Sequence, residues 1–403
     1  MSVSKRLVVK VLAAAIVFVM LLGTLAGCSL KVDDPVVAKV GDIKIYASDY
    51  SQLFSSYYYY ASYMGFDTST TEGITAFQDW ILETLISDKV VVYMAEKADV
   101  ELTEEEIAEV NKDVQTSYDT QVATYKSKVD SSITGEDAIL AEAEKLFIAA
   151  LKDAGTSVDE YKKGLYDAYY EDALYKKYSE MVKSEATIDD DAAQKYYDEQ
   201  LAEQKAAYDE DPAEYYTDYQ SALNSSTGVV PFYVPAGYIR VKHILVKFDD
   251  EDKDGDTVDK AEYDKICEEI DTHLANGAYS FDELIEMYND DDGMKNEPYK
   301  TEGYLVSEAI EDKYVDGFAE AALKLKNVGD VSPRIETEYG YHYIQLIEKV
   351  EPKTIAFDDV KEDINTKLLT EAQNKLFSER IDAWIKETPI TRYESRIRYY
   401  GLQ

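Results

Sequence analysis

Two segments constrain this chain more than any others: RVKHILVK (Arg240–Lys247) and TEYGYHYIQLIE (Thr337–Glu348). Each reads as a buried strand carrying one histidine. Side chains alternate along a strand, so His243 shares a face with Val241 and Leu245, and His342 shares one with Gly340, Ile344 and Leu346. Two imidazoles on apolar strand faces call for a joint explanation.

The intervening chain alternates helices and strands in a definite order. A helix from Val258 to Asn276 carries the apolar stripe Val258, Ile266, Ile270 and Leu274, and Gly277 stops it. A second helix starts at Ser280 as N-cap. There follow a loop (Asp290–Thr301), a short strand (Gly303–Val306), a helix (Asp312–Leu325), a Gly329-Asp330 turn and two final strands.

This β-α-α-β-α-β-β order resembles the parvulin family of peptidyl-prolyl isomerases. VKHILVK is similar to the family's opening strand and SFDELIEMYN (Ser280–Asn289) to its second helix. GFAEAALKLKNVGDVSPRIETEYGYHYIQLIE (Gly317–Glu348) is similar to its closing part almost without gaps. Between Asp291 and Lys313 the family usually shows a Gly-Gly-Asp/Glu-Leu-Gly run, where this chain reads YKTEGYLV. The resemblance implies that His243 and His342 are the paired family histidines, orienting each other and nearby hydroxyls behind the rotating bond, with Thr337 as the hydroxyl of that network. It makes Phe318 the aromatic of the proline pocket, narrowed by Tyr314 where Met or Leu is common, with Leu305 and Tyr339 lining the same groove. Asp291, in the run Asp290-Asp291-Asp292, matches a position holding Cys or Asp and polarises the site without being a nucleophile.

Such a reaction needs no metal, cofactor or covalent step. The amide barrier is roughly 18 to 20 kcal/mol because resonance must be broken. An apolar floor for the proline ring, a suitable environment for the altered carbonyl and exclusion of water are enough to favour the twisted amide. Three histidines without cysteine or acid at metal spacing argue against zinc, and His273, on a charged helix face, reads as solvated. In the loop Asp250–Ala261, Asp250, Asp252, Asp254 and Gly255 mimic half of a calcium loop, but Ala261 stands where the bidentate Glu belongs, so it reads as a solvated connection. Its acids also oppose a phosphorylated substrate.

At the amino terminus Lys5, Arg6 and Lys10 precede an apolar run, Val11–Leu22, and then Leu25-Ala26-Gly27-Cys28. That tetrapeptide resembles a bacterial lipobox, which implies cleavage after residue 27, a diacylglyceryl thioether on Cys28 and a membrane-anchored extracytoplasmic protein. Only Cys267 then remains, beside Ile266 and Ile270 on the helical stripe, so it reads as a core residue and no intramolecular disulfide is available. The formal charge of −39 repels nucleic acid and anionic lipid.

After a linker over 28–35, VVAKV (Val36–Val40) and IKIY (Ile43–Tyr46) around Gly41-Asp42 predict a hairpin, with Ser48-Asp49 capping the next helix. Helical spacing of Phe77, Trp80, Ile81, Leu85 and Met94 and a Thr103/Glu106 capping box follow. This opening resembles the amino-terminal chaperone domain of the SurA and PrsA type of extracytoplasmic foldase. The fold expected is therefore α+β: a helical chaperone domain over 36–223, a linker at 224–235, a parvulin domain inserted at 236–352, and a carboxy-terminal amphipathic helix in 353–403 packing back on the first domain. Ile390–Tyr400 is expected to add an edge strand there.

The partners implied are unfolded or partly folded secreted chains with Xaa-Pro bonds, and a homodimer stays open. Thirty-six tyrosines cluster at 57–60, 166–178 and 196–219; they suit half-buried helix faces or a client-binding crevice. Two other functions stay open. A holdase with a degenerate parvulin domain would bind without turnover, and a solute-binding lipoprotein would need two α/β lobes, against which the helix-rich first half argues.

Overall fold

A computed structural model describes residues 34–224, 230–248 and 260–400. The lipobox with Cys28 and the acidic loop from 250 to 259 lie outside the described residues. The chain divides into two compact units, 1–187 with 371–403, and 188–370.

The first unit opens with the expected hairpin, β1 (Val36–Val40) and β2 (Ile43–Tyr46), antiparallel about Gly41-Asp42. Helix α1 (Ala47–Tyr58) follows one residue earlier than its expected cap, because the Tyr46 amide donates to Asp49 Oδ2 at 2.9 Å while Ser48 is taken up by Asp34. Then come α2 (Thr71–Lys97), α3 (Glu104–Thr124), α4 (Glu136–Asp153) and α5 (Val158–Lys183). The Thr103/Glu106 box forms reciprocally, at 2.6 and 3.2 Å, and ties down donors that a helix start leaves unsatisfied.

The second unit begins with α6 (Ala192–Glu210) and α7 (Ala213–Leu223), then β3 (Tyr233–Val234), β4 (Ile239–Lys247), α8 (Ala261–Asn276), α9 (Phe281–Tyr288), the single turn α10 (Tyr299–Glu302), β5 (Tyr304–Val306), α11 (Phe318–Leu323), β6 (Ile335–Glu336), β7 (Gly340–Lys349) and β8 (Lys353–Thr354). Four strands form an antiparallel sheet in the order β5-β4-β7-β6, and β3 pairs with β8 apart from it. Ile244 and Val246 on one face pack with Cys267 and Ile270 of α8 and Leu284 of α9. Val241, Ile344 and Leu346 on the other pack with Phe318, Ala319 and Ala322 of α11.

Two expectations change. The helix over Asp312–Leu325 is split into a 3-10 turn (Glu308–Lys313) and α11, because Gly317 at φ 84° is left-handed and breaks the run. Helices α6 and α7, assigned by pattern to the first domain, pack instead in the second unit: Tyr208, Tyr215 and Tyr219 share a core with Val234, Tyr238, Leu305 and Ile310.

Helix α12 (Phe357–Glu387) serves both units. Val360 and Ile364 pack with Ala193, Tyr197 and Phe232, whereas Phe377 and Trp384 enter the core of Val40, Ile45, Phe77, Ile81 and Ile86. Strand β9 (Ile390–Arg392) pairs with β1, but the expected strand stops there and α13 (Glu394–Tyr400) follows. Trp384 is 7% exposed and stacks on Tyr178 at 5.5 Å. We predict that Trp384→Ala destabilises the first unit by about 3 to 5 kcal/mol, since a large ring leaves a cavity that collapses only partly. Trp80, the one tryptophan left, reports it in urea unfolding; an unchanged midpoint would overturn the assignment.

Candidate functional site

The register of β4 on β7 sets Leu245 opposite His342 and His243 opposite Ile344, so the two histidines are diagonal neighbours on one face. They are 5% and 4% exposed, and their rings lie nearly parallel with centroids 5.4 Å apart. His243 Nδ1 is 3.2 Å from His342 Nδ1. The outer nitrogens continue the line: His243 Nε2 is 2.9 Å from Asp291 Oδ2, and His342 Nε2 is 2.9 Å from Thr337 Oγ1. Four of the residues named from sequence thus form one hydrogen-bonded row, Asp291–His243–His342–Thr337.

Asp291 is surrounded by donors. Tyr304 Oη donates to Oδ2 at 2.9 Å, and the amides of Gly293 and Met294 donate to Oδ1 and Oδ2 at 3.1 and 3.3 Å. Burial raises its carboxyl, but His243, Tyr304 and the Gly293 amide override this and hold it well below the usual carboxylate range. Tyr304 moves the other way, raised by burial and by the facing carboxylate, so it stays a donor. A Cβ on Gly293 would sit 2.0 Å from the Tyr304 hydroxyl, so only glycine lets that hydroxyl reach Asp291. Asn289 accepts from the amides of Leu245 and Asp291 at 2.8 and 3.2 Å, pinning the loop to β4.

Donor accounting orders the protons. An ionised Asp291 requires N–H on His243 Nε2; a neutral His243 then accepts at Nδ1 from His342 Nδ1–H, and His342 Nε2 accepts the Thr337 hydroxyl. The Thr337 hydroxyl also lies 3.3 Å from Gly340 O. With both oxygens of Asp291 engaged, the row contains no free nucleophile.

Phe318, 3% exposed, stands edge-on to both imidazoles, at 5.2 Å from His243 and 5.5 Å from His342. Tyr314 stacks on Phe318 at 5.3 Å and donates its hydroxyl to Leu305 O. Tyr339 is 43% exposed at the rim, its amide bonded to Thr337 Oγ1 at 3.2 Å.

Leu305 is placed elsewhere than expected. It pairs with Arg240, one residue out of phase with the histidine face, and packs with Tyr208, Tyr215 and Tyr238. Its neighbour Tyr304, paired with Val241, takes the place on the histidine side, with ring centroids 5.6 Å apart. Strand alternation carried that signal, since a residue opposite Val241 shares the face of His243.

His273 is half-buried: it lies edge-on to Tyr279 at 4.8 Å, and its Nδ1 is buried without a partner among the described residues. A cavity of about 610 Å³ in the second unit is lined by Arg240, Lys242, Asp282, Glu302, Gln345 and Glu348, with no residue of the row. Of the tyrosine clusters, the second and third are largely core, with Tyr169, Tyr197, Tyr208, Tyr215 and Tyr219 buried; within the clusters the exposed rings are Tyr58, Tyr59 and Tyr60, with Tyr63 exposed just beyond them.

Burial, then the neighbouring His243, lowers His342 to about 3. An imidazole that resists protonation when folded but accepts it when unfolded makes the unfolded state bind more protons between about pH 6.5 and 3, so stability falls with pH through that window. Asp291 adds its loss only below the unfolded carboxylate value of about 4. The difference in unfolding free energy between wild type and His342→Asn, read from urea unfolding, should shrink as pH falls through the upper window, by on the order of a few kcal/mol in all. A constant difference would refute the buried neutral ring.

Family models match both ends of this description: a PPIC-type PPIase domain over residues 243–348 and a SurA-like N-terminal domain over 2–130. The foldase protein PrsA of Clostridium botulinum (strain Langeland) is 26% identical over 318 residues, 79% of this chain and 74% of that protein. PrsA of Clostridium tetani is 24% identical over 401 residues, 95% and 96% of the two chains. Among solved structures, PrsA from Bacillus subtilis is similar at 19% identity and a TM-score of 0.24, over 88% of this chain and 93% of that one. The chain thus carries a PPIC-type peptidyl-prolyl isomerase domain and, before it, a SurA-like amino-terminal domain, and over nearly its whole length it is similar to a PrsA foldase.

Proposed function

We propose that the row Asp291–His243–His342–Thr337 is the isomerisation site and that the chain uses it to speed Xaa-Pro rotation in unfolded secreted proteins. The observation that carries this is the unbroken hydrogen bonding of the row beneath Phe318. Phe318 and Tyr314 supply the apolar floor for a proline ring, and Tyr339 at the rim supports the bound chain. The row's polar groups are fixed before substrate arrives, so they favour the charge redistribution of the twisted amide without reorganising. Asp291 sets the field and the imidazole tautomers; it does not attack. Tyr58, Tyr59, Tyr60 and Tyr63, exposed in the first unit, offer client chains a large apolar contact with adaptable hydrogen bonds.

NMR exchange on short Xaa-Pro peptides, with the full mature chain, tests the site. His243→Ala and His342→Ala should each lose about tenfold or more of the acceleration, which is about 1.4 kcal/mol of barrier. A folded wild type without acceleration would leave the holdase, which the departure from the family pattern over 291–313 also suits.

The same proposal includes anchoring at the outer face of the cytoplasmic membrane through a diacylglyceryl group on Cys28. Its support is the order of charge, apolar run and Leu-Ala-Gly-Cys; among the described residues no helix is long and apolar enough to cross a membrane. Metabolic labelling with an alkyne fatty acid should mark wild type and not Cys28→Ser, and the variant should leave the lipid-anchored fraction. Label retained by the variant would refute it. Sedimentation of the purified chain decides between monomer and homodimer.

A further inference from the structure

Helix α7 lies outside the segment matched by the isomerase model, yet two of its side chains begin lines of contact that end on the site. Tyr216 and Gln220 are four residues apart, hence on one face. Gln220 Oε1 accepts the Tyr299 hydroxyl at 2.8 Å, the Tyr299 ring lies 4.7 Å from that of Tyr304, and Tyr304 donates to Asp291. On the second line Tyr216 and Tyr314 pack against one core, the one that holds Leu305. Tyr314 gives its only proton to Leu305 O. Its ring then stacks on Phe318, which touches both imidazoles.

The helix is itself held in place. Tyr215 and Tyr219 are buried beside that face; Tyr219 Oη donates to Glu302 Oε2 at 2.9 Å and accepts from Arg240 Nη2 at 3.3 Å. Tyr208 Oη donates to Asp218 at 2.7 Å, and Tyr238 Oη to Pro212 O at 2.6 Å. These bonds fasten α7 to α6 and to the start of β4. Rings whose outer edges have such partners are restrained in orientation, and a site that works by preorganisation is sensitive to small displacements.

Resting on the reading of the row as the isomerisation site, we propose that α7 is a positioning element of that site: Gln220 aligns Tyr299 and Tyr304 on Asp291, and Tyr216 aligns Tyr314 on Phe318. The isomerase unit of this chain is therefore larger than 243–348. Its carboxylate and its aromatic floor are both adjusted from one turn of a helix that precedes it.

The test uses the full mature chain with Gln220→Leu, Gln220→Glu and Tyr216→Phe, read by peptide exchange kinetics and by long-range imidazole nitrogen NMR of His243 and His342. Gln220→Leu should lower kcat by roughly tenfold and shift the His243 Nε2 resonance. Gln220→Glu, which keeps an acceptor for Tyr299, should restore both. Tyr216→Phe should act mainly on KM, through the floor, with the ring nitrogens little changed. Wild-type kinetics and ring shifts in both Gln220→Leu and Tyr216→Phe would overturn the proposal while the isomerase reading stood. An inactive wild type, or a His243→Ala variant as fast as wild type, would refute that reading instead; the His243 shift in Gln220→Leu would then decide alone whether α7 positions Asp291.

Discussion

The diagonal contact of His243 with His342 across β4 and β7 is the interaction on which the site depends. Diagonal neighbours in an antiparallel pair lie roughly 7 to 8 Å apart at the backbone, a gap two facing imidazoles close. Their meeting is thus a consequence of register. A one-residue slip would send Ile344 and Leu346 away from α11 and the histidines to the wrong face. The burial of those aliphatic residues against Phe318, Ala319 and Ala322 therefore specifies the polar contact beside them.

Charge in the site is sparse by comparison with the chain. A formal −39 is spread over the molecule, while the row holds one carboxylate, wrapped by an imidazole, a hydroxyl and two amides. A carboxylate so enclosed is a fixed source of field and a poor base or nucleophile. That suits a reaction whose difficulty is loss of amide resonance and not proton transfer.

Tyrosine does much of the packing in both units. A phenol ring fills a helix interface as phenylalanine does, and its hydroxyl can find a partner at the edge of the core. Tyr197 reaches Ile355 O, Tyr208 reaches Asp218, and Tyr238 reaches Pro212 O. The abundance that first suggests a client crevice is mostly core material, and the same property lets α7 address the site through hydroxyls and ring faces.

From sequence alone, local and periodic features were legible: the hairpin at Gly41-Asp42, the box at Thr103/Glu106, the cap at Ser280, the two histidine strands and the α+β order. These depend on residues within a few positions of one another, or on strand alternation, so local physics determined them. The family likeness added Asp291, Thr337 and Phe318. Tertiary structure decided which face Leu305 would leave to Tyr304, that Gly293 must make room for that hydroxyl, that His273 lies against Tyr279 and Tyr288, and that α6 and α7 belong with the isomerase sheet. Apart from the strand alternation that points to Tyr304, none of these has a local signature. Each follows from strand register or from which amphipathic faces bury one another, and both are settled only when residues distant in sequence pack together.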